Sequence, residues 1–251
     1  MNKLFFSLIL WFILSSFNTT YGQGKKPNIL WFTCEDISPY LSFDGDSTAN
    51  TPHLDQLAGE SMIFTHAYAT VGVCAPARSS IITGMYPASI GTHHMRTAQD
   101  YLGWGKREYP DRSNTPNGPV PLDINGDTIP QYSAVIPSYI KCFTEYLRAE
   151  GYYCSNNVKT DYQFAAPVSA WDENSGQAHW RNRREGQPFF SVFNFEVTHE
   201  SRIWLNEDKP LTVDPDSVPV PPYYPDNEVI REDIARNYSN IELLDKQIGE
   251  M

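Results

Sequence analysis

Residues Phe189 to Phe195, Phe-Phe-Ser-Val-Phe-Asn-Phe, are apolar and aromatic almost throughout. A run with no polar face to turn toward water reads as a central strand of a sheet, buried on both sides. A second run, Asn28 to Thr33, leads into Cys34-Glu35-Asp36, and reads as a buried strand whose C-terminal tip presents carboxylates. Met62–Ala67 and Tyr152–Val158 are predicted as further strands. Helical patterns lie between them. Thr51-Pro52 supplies an N-cap and a first-turn proline, with Leu54, Leu57 and Ala58 on one face. A helix opens at Cys74 and stops at Gly84, and another spans Ser138 to Glu150. Ile230, Ile234, Ile241, Leu244 and Ile248 mark a long amphipathic helix. Strands alternating with helices predict an α/β fold with a mostly parallel central sheet flanked by helices.

Residues 97 to 133 and 205 to 227 are rich in glycine or proline and read as long loops. A sheet that ends on a crossover helix lacks the strand that helix should feed. The chain is therefore expected to be the N-terminal portion of a longer protein. At its start, Lys3 precedes an apolar stretch from Leu4 to Leu14, with a small-residue cleavage point near Gly22-Gln23. Residues 1–22 are thus expected to be a signal peptide, leaving a domain over 23–251 in a periplasmic or secreted protein with no transmembrane segment.

The formal net charge of −11 argues against nucleic acid as a partner. An acidic protein that handles an anion needs a bound cation or a local basic funnel, for which Arg181-Asn182-Arg183-Arg184 is a candidate. The four cysteines are expected to be buried free thiols, with a Cys142–Cys154 pair as the alternative.

Chemistry concentrates at Cys74-Ala75-Pro76-Ala77-Arg78. A Cys-x-Pro-x-Arg string opening a helix resembles the signature of the type-I sulfatases, members of the alkaline-phosphatase-like superfamily. The resemblance implies that a formylglycine-generating maturation enzyme oxidises Cys74 to formylglycine (3-oxoalanine), whose aldehyde hydrate attacks sulfate esters. It also implies that Arg78 stabilises the developing charge and that the helix N-terminus favours the anion. Glu35-Asp36, after Pro27-Asn28-Ile29-Leu30, occupies the place of the family's Ca2+-binding acids, with position 74 as a further metal ligand. Glu35 stands where Asp is commoner.

Lys159 corresponds to the sulfate-binding lysine of the family's Gly-Lys-x-His pattern, but Asp161 stands where that pattern has His. His94, of the pair His93-His94, is a candidate substrate-binding residue in its place, and an ordinary loop pair is the alternative. His199, just past the strand Phe189–Phe195, matches the histidine that contacts sulfate and protonates the leaving oxygen. Tyr238, Ile241, Asp245 and Gly249 match the family's Tyr-x-x-x-Ile-x-x-x-Asp-x-x-x-Gly helix. In the family a strand ending in Asp-Asn follows this helix and completes the calcium site, so that pair is expected beyond Met251.

The resulting expectation is an exported sulfatase that uses Ca2+ and formylglycine and acts on sulfated polysaccharides or oligosaccharides. The local patterns resemble bacterial members, including heparan-sulfatase-like ones. Tyr101, Trp104, Tyr109 and Trp204 are candidate sugar-stacking faces. The alternatives are a phosphatase or phosphodiesterase of the same superfamily and a truncated, non-catalytic sulfatase-like glycan binder.

Overall fold

The computed structural model describes residues 25–95, 112–115, 118–122, 125–128 and 133–251. The expected signal peptide, Tyr101, Trp104 and Tyr109 lie outside the described residues. Six strands are described: β1 (Ile29–Cys34), β2 (Arg112–Thr115), β3 (Gly118–Pro121), β4 (Tyr153–Asn157), β5 (Glu173–Asn174) and β6 (Phe189–Phe195). Four of them form one sheet in the order β1-β6-β4-β5, and all three pairings are parallel. The seven-residue apolar run is thus the central strand, and six of its seven residues are buried. Five helices follow the predicted alternation: α1 (Pro52–Gly59), α2 (Cys74–Thr83), α3 (Phe143–Ala149), α4 (Arg202–Leu205) and α5 (Glu228–Gly249). No helix among the described residues is long and apolar enough to cross a membrane.

Three cores hold the elements that carry the site, and one of them seats α2 through buried Ile82, with Cys142, Phe164 and Ala170. Trp31 of β1, Phe143 of α3 and Phe190 of β6 meet edge-on or tilted at 5.2–6.2 Å, beside buried Tyr152, Cys154 and Val192. This cluster fixes α3 against the sheet. A separate cluster around Leu41, Val213, Tyr238 and Ile241 joins α5 to the loops on either side of it. Buried Asp245 of α5 reaches across to α1 and accepts from the backbone N–H groups of His53 (3.2 Å) and Leu54 (2.7 Å). It does the capping that Thr51 was expected to do, and the Thr51 side chain makes no cap bond. At the end of the same helix, a Cβ on Gly249 would stand 2.5 Å from the His53 ring, so only glycine allows this approach.

Several local expectations are corrected. Met62–Ala67 is not a strand. Met62 and Phe64 are 78% and 74% exposed, and the segment pairs with no strand among the described residues. An apolar pattern becomes a strand only where a neighbour can satisfy its backbone. Among the described residues β1 pairs with β6 alone, and Leu30 and Trp31 are partly exposed. The helix predicted from Ser138 begins at Phe143, where Glu145 accepts from the Cys142 N–H at 2.9 Å. Within the stretch read as loop, β2 and β3 pair as an antiparallel ribbon. A two-stranded ribbon accommodates Pro119 and Pro121 because its outer edges need no donor. Cys142 and Cys154 are buried free thiols, whereas Cys34, also free, is exposed.

Replacing Asp245 by Ala strips the N-terminus of α1 of its acceptor. The expected loss is about 1–2 kcal/mol of unfolding free energy in urea titration, with Asp245→Asn recovering part of it.

Candidate active site

Parallel strands bring their C-terminal ends to one edge of the sheet, and the predicted site residues gather there. Glu35 follows β1, Lys159 follows β4, and His199 follows β6, while Cys74 opens α2 and Arg78 lies one turn further along it. Glu35 is buried, and its two oxygens are shared between two cations. Oε1 accepts from Arg78 at 2.5 Å, and Oε2 accepts from the Lys159 ammonium at 2.5 Å. Cys74 Sγ lies 3.9 Å from Glu35 Oε2. Asp161, also buried, places a carboxylate oxygen 3.8 Å from Lys159 Nζ. No side chain caps α2 at Val73 among the described residues, so its first-turn N–H groups are left for another acceptor. A cavity of about 550 Å³ opens over this cluster, with Glu35, Asp36, Cys74, Arg78 and Lys159 on its polar side and residues such as Trp171 on its apolar side.

His199 Nδ1 accepts the Ser201 backbone N–H at 3.2 Å and lies 2.9 Å from the Ser201 hydroxyl. In the neutral ring the proton therefore sits on Nε2. That atom faces Glu35 Oε2 at 3.9 Å and Asp36 Oδ2 at 4.0 Å. Asp36 adopts a left-handed backbone with φ 48° and accepts the Glu200 N–H at 2.8 Å, which turns its carboxylate back toward His199. The ligand atoms of Glu35, Cys74 and His199 all lie within 4.8 Å of one another. That group offers one carboxylate, one sulfur and one imidazole nitrogen, and Asp36 stands beside it with its carboxylate 4.0 Å from His199 Nε2.

His94 is exposed, with its ring tilted at 43° to that of His93 and centroids 4.1 Å apart, and like His199 neither residue lines the cavity. The stretch 181–184 does not line it either. Arg183 donates to the carbonyls of Gln187 and Trp180 and stacks over Phe189, so it holds its own loop together. The cationic charge at the cavity comes from Arg78 and Lys159. Trp204 is exposed on α4, a short helix that begins three residues after His199.

Electrostatics set the state of the two central groups. Burial raises the Cys74 thiol above its usual value, and the carboxylates of Glu35, Asp161 and Asp36 raise it further against the opposing pull of Lys159. An unmodified Cys74 is therefore a thiol at neutral pH, not a thiolate nucleophile. For Glu35, burial pushes upward, but Arg78 and Lys159 together outweigh it and hold the carboxyl below the ordinary range.

One residue escaped the sequence reading. Asn194 of β6 accepts from Arg78 at 2.7 Å and from the Thr33 hydroxyl at 2.8 Å. A polar residue inside a buried apolar run must find partners there, and that is the signal that was available. A second surprise precedes Lys159. Val158 has φ 95°, a conformation β-branched residues rarely adopt, at the position where the Gly-Lys pattern has glycine.

A family model described as Sulfatase matches residues 27–250. An ulvan-active sulfatase of Formosa agariphila is 40% identical over 260 residues, covering 90% of this chain and 40% of that protein. Iduronate 2-sulfatase of Homo sapiens is 42% identical over 88 residues, 32% of this chain and 16% of that protein. The chain thus spans well under half the length of these relatives. Among solved structures, a 2-O GAG sulfatase superposes with a TM-score of 0.57 at 16% identity, over 89% of this chain and 53% of that one. A phosphonate monoester hydrolase of Agrobacterium radiobacter superposes with a TM-score of 0.52 at 12% identity, over 90% and 58%. The chain shares its fold with these solved structures.

Two outcomes follow for this cluster. Because the Glu35 carboxyl is depressed in the folded state, its stabilisation is complete above its unfolded value of about 4.3 and is lost as pH falls through the folded one. Glu35→Gln should remove that part of the acid dependence and cost about 3 kcal/mol at neutral pH, since it leaves two cations without their charge partner. Urea midpoints measured from pH 7 to pH 2 read both effects. Val158→Gly should stabilise by about 1 kcal/mol, as relief of backbone strain exceeds the added entropy of the unfolded glycine. An unchanged or lower unfolding midpoint would count against strain at this position.

Proposed function

The chain belongs to the sulfatase family, and from that premise we propose that it forms the nucleophile-bearing part of an exported enzyme that hydrolyses sulfate esters on a sulfated polysaccharide or oligosaccharide. The observation that carries this reading is the convergence of Arg78 and Lys159 on one carboxylate beside Cys74. A carboxylate is an oxyanion, so donors that grip it from two sides suit another oxyanion such as sulfate. Similarity to an ulvan-active sulfatase and to an iduronate 2-sulfatase supports a sulfated carbohydrate as the substrate class. Lys3 and the apolar stretch after it support export.

Mechanism follows from the state of each group. Cys74 as a protonated thiol is a poor nucleophile. Converted to formylglycine by a maturation enzyme, residue 74 would supply an aldehyde hydrate as the nucleophile toward sulfur. Glu35 and Asp36 would hold a Ca2+ ion, which would supply Lewis-acid neutralisation of sulfate oxygens. Arg78 and Lys159 bind and orient the sulfate group. Their burial keeps these charges poorly screened and therefore effective. His199 keeps a proton on Nε2, because Ser201 occupies Nδ1, and presents it toward the site as the donor to the leaving oxygen. The apolar side of the cavity limits water around the reacting group.

Mass spectrometry of the peptide spanning Cys74, on protein from its native host, should find a loss of about 18 Da that a carbonyl reagent traps. The same protein should release inorganic sulfate from ulvan or heparan sulfate, detected by ion chromatography. Arg78→Ala and Lys159→Ala should each lower that rate by about 10²-fold or more. A thiol at position 74 in every molecule, together with no sulfate release, would overturn the reading.

A further inference from the structure

We propose that Asn194 is a positioning residue for Arg78, and that it is held in turn by a ladder of asparagine amides crossing the sheet. The inference rests on the reading of Arg78 as an anion-binding group of the site. All four hydrogen-bonding positions of the Asn194 amide are used. Its Oδ1 accepts from Arg78 at 2.7 Å and from Thr33 Oγ1 at 2.8 Å. Its Nδ2 donates to Asn156 Oδ1 at 3.0 Å and to the Asn157 carbonyl at 2.8 Å. Arginine can only donate, so the amide is locked with its oxygen toward the guanidinium. Asn156 continues the pattern, since its Nδ2 donates to Asn174 Oδ1 at 2.8 Å. Three amides on β6, β4 and β5 are therefore aligned with each carbonyl end directed toward the cation. Such a chain polarises along its length and favours positive charge at the Arg78 end.

Arg78 has two other holds, and neither is equivalent. NH2 is bonded to Glu35 and NH1 to the Lys159 carbonyl at 3.3 Å. Glu35 is itself a site residue, so any ligand that recruits its carboxylate loosens that hold. The Lys159 carbonyl lies in the loop after β4, next to strained Val158. Asn194 grips the guanidinium from near the C-terminal end of the central strand, where its backbone pairs with Thr33 of β1. Burying a carboxamide in a strand that is mostly phenylalanine and valine does nothing for apolar packing. An apolar side chain of similar volume would serve the core as well.

The test uses the intact chain and inorganic sulfate as the probe, so that turnover is not needed. Isothermal titration calorimetry gives the sulfate Kd for wild type, Asn194→Leu, Arg78→Met and the double variant, with urea unfolding run on each. Asn194→Leu should weaken sulfate by about tenfold, the scale of one misdirected charge-assisted bond. In the Arg78→Met background it should weaken sulfate no further, because a residue that acts through Arg78 has nothing left to position. A purely structural role would instead give the same loss in both backgrounds, and that overturns the proposal. So does an Asn194→Leu variant that binds sulfate within twofold of wild type. If Asn194→Leu does not fold, Asn156→Leu, which removes the next amide, carries the same cycle, with a smaller loss expected. Should wild type bind no sulfate, or should Arg78→Met bind it as well as wild type, the reading of Arg78 fails and this inference falls with it. Loss in Arg78→Met but not in Asn194→Leu sinks the positioning role alone.

Discussion

Glu35 sits at the tip of β1 with an arginine on one oxygen and a lysine on the other, both at 2.5 Å, in a place where water barely reaches. Each of the three charges would be costly there alone. Together they tie β1, α2 and the loop after β4 to a single point, and they explain why those three elements meet at all. The aromatic cluster of Trp31, Phe143 and Phe190 brings the sheet and α3 together without regard to direction. The ion cluster then sets the register in which the strand tips and the head of α2 face one another.

Parallel pairing makes that convergence possible. In the order β1-β6-β4-β5 the central strand has β1 on one side and β4 on the other, and all run the same way. Residues that follow the strands, namely Glu35, Lys159 and His199, therefore arrive at one edge although more than a hundred residues separate the first two. The sheet interior turns polar as it nears this edge. Ser155 meets Ser191 at 2.6 Å, and the bonded asparagines Asn156 and Asn194 lie one and three residues further along their strands. Apolar packing gives way to directed hydrogen bonds where charges must be held in place.

What could be read from the sequence was whatever depends on pattern alone. Phe189–Phe195 matches the observed strand residue for residue, because a run with no polar face has only one place to go. The long amphipathic helix from Ile230 is equally plain. The cluster of Glu35, Cys74, Arg78, Lys159 and His199 was visible only through the family resemblance, since nothing local in the chain brings those positions together. Features that depend on a distant partner were missed. Asp245 takes the capping duty from Thr51 across 191 or 192 residues of chain. Met62–Ala67 has strand-like composition and no neighbour among the described residues. Asn194 looks like a blemish in an apolar run until Arg78 is placed beside it, and the strain at Val158 leaves no mark in the sequence beyond a missing glycine.

The charge balance of the site bears on how an acidic chain of net charge −11 can handle an anion. Long-range attraction from the protein as a whole is unavailable, so the local cations must do the binding. Those cations are already neutralised by Glu35, and Asp161 lies close to Lys159 as well. On the proposed function, an incoming sulfate group would meet donors whose charge is matched and would share them with the Glu35 carboxylate. The length of glutamate matters here, because it carries the carboxylate from the strand tip to both cations at once. Affinity for an oxyanion at this site is thus governed by how far the negative charge of Glu35 is drawn off by something else. The neighbouring Asp36, in a left-handed backbone conformation, brings a second carboxylate to 4.0 Å from His199 Nε2 at the same strand tip.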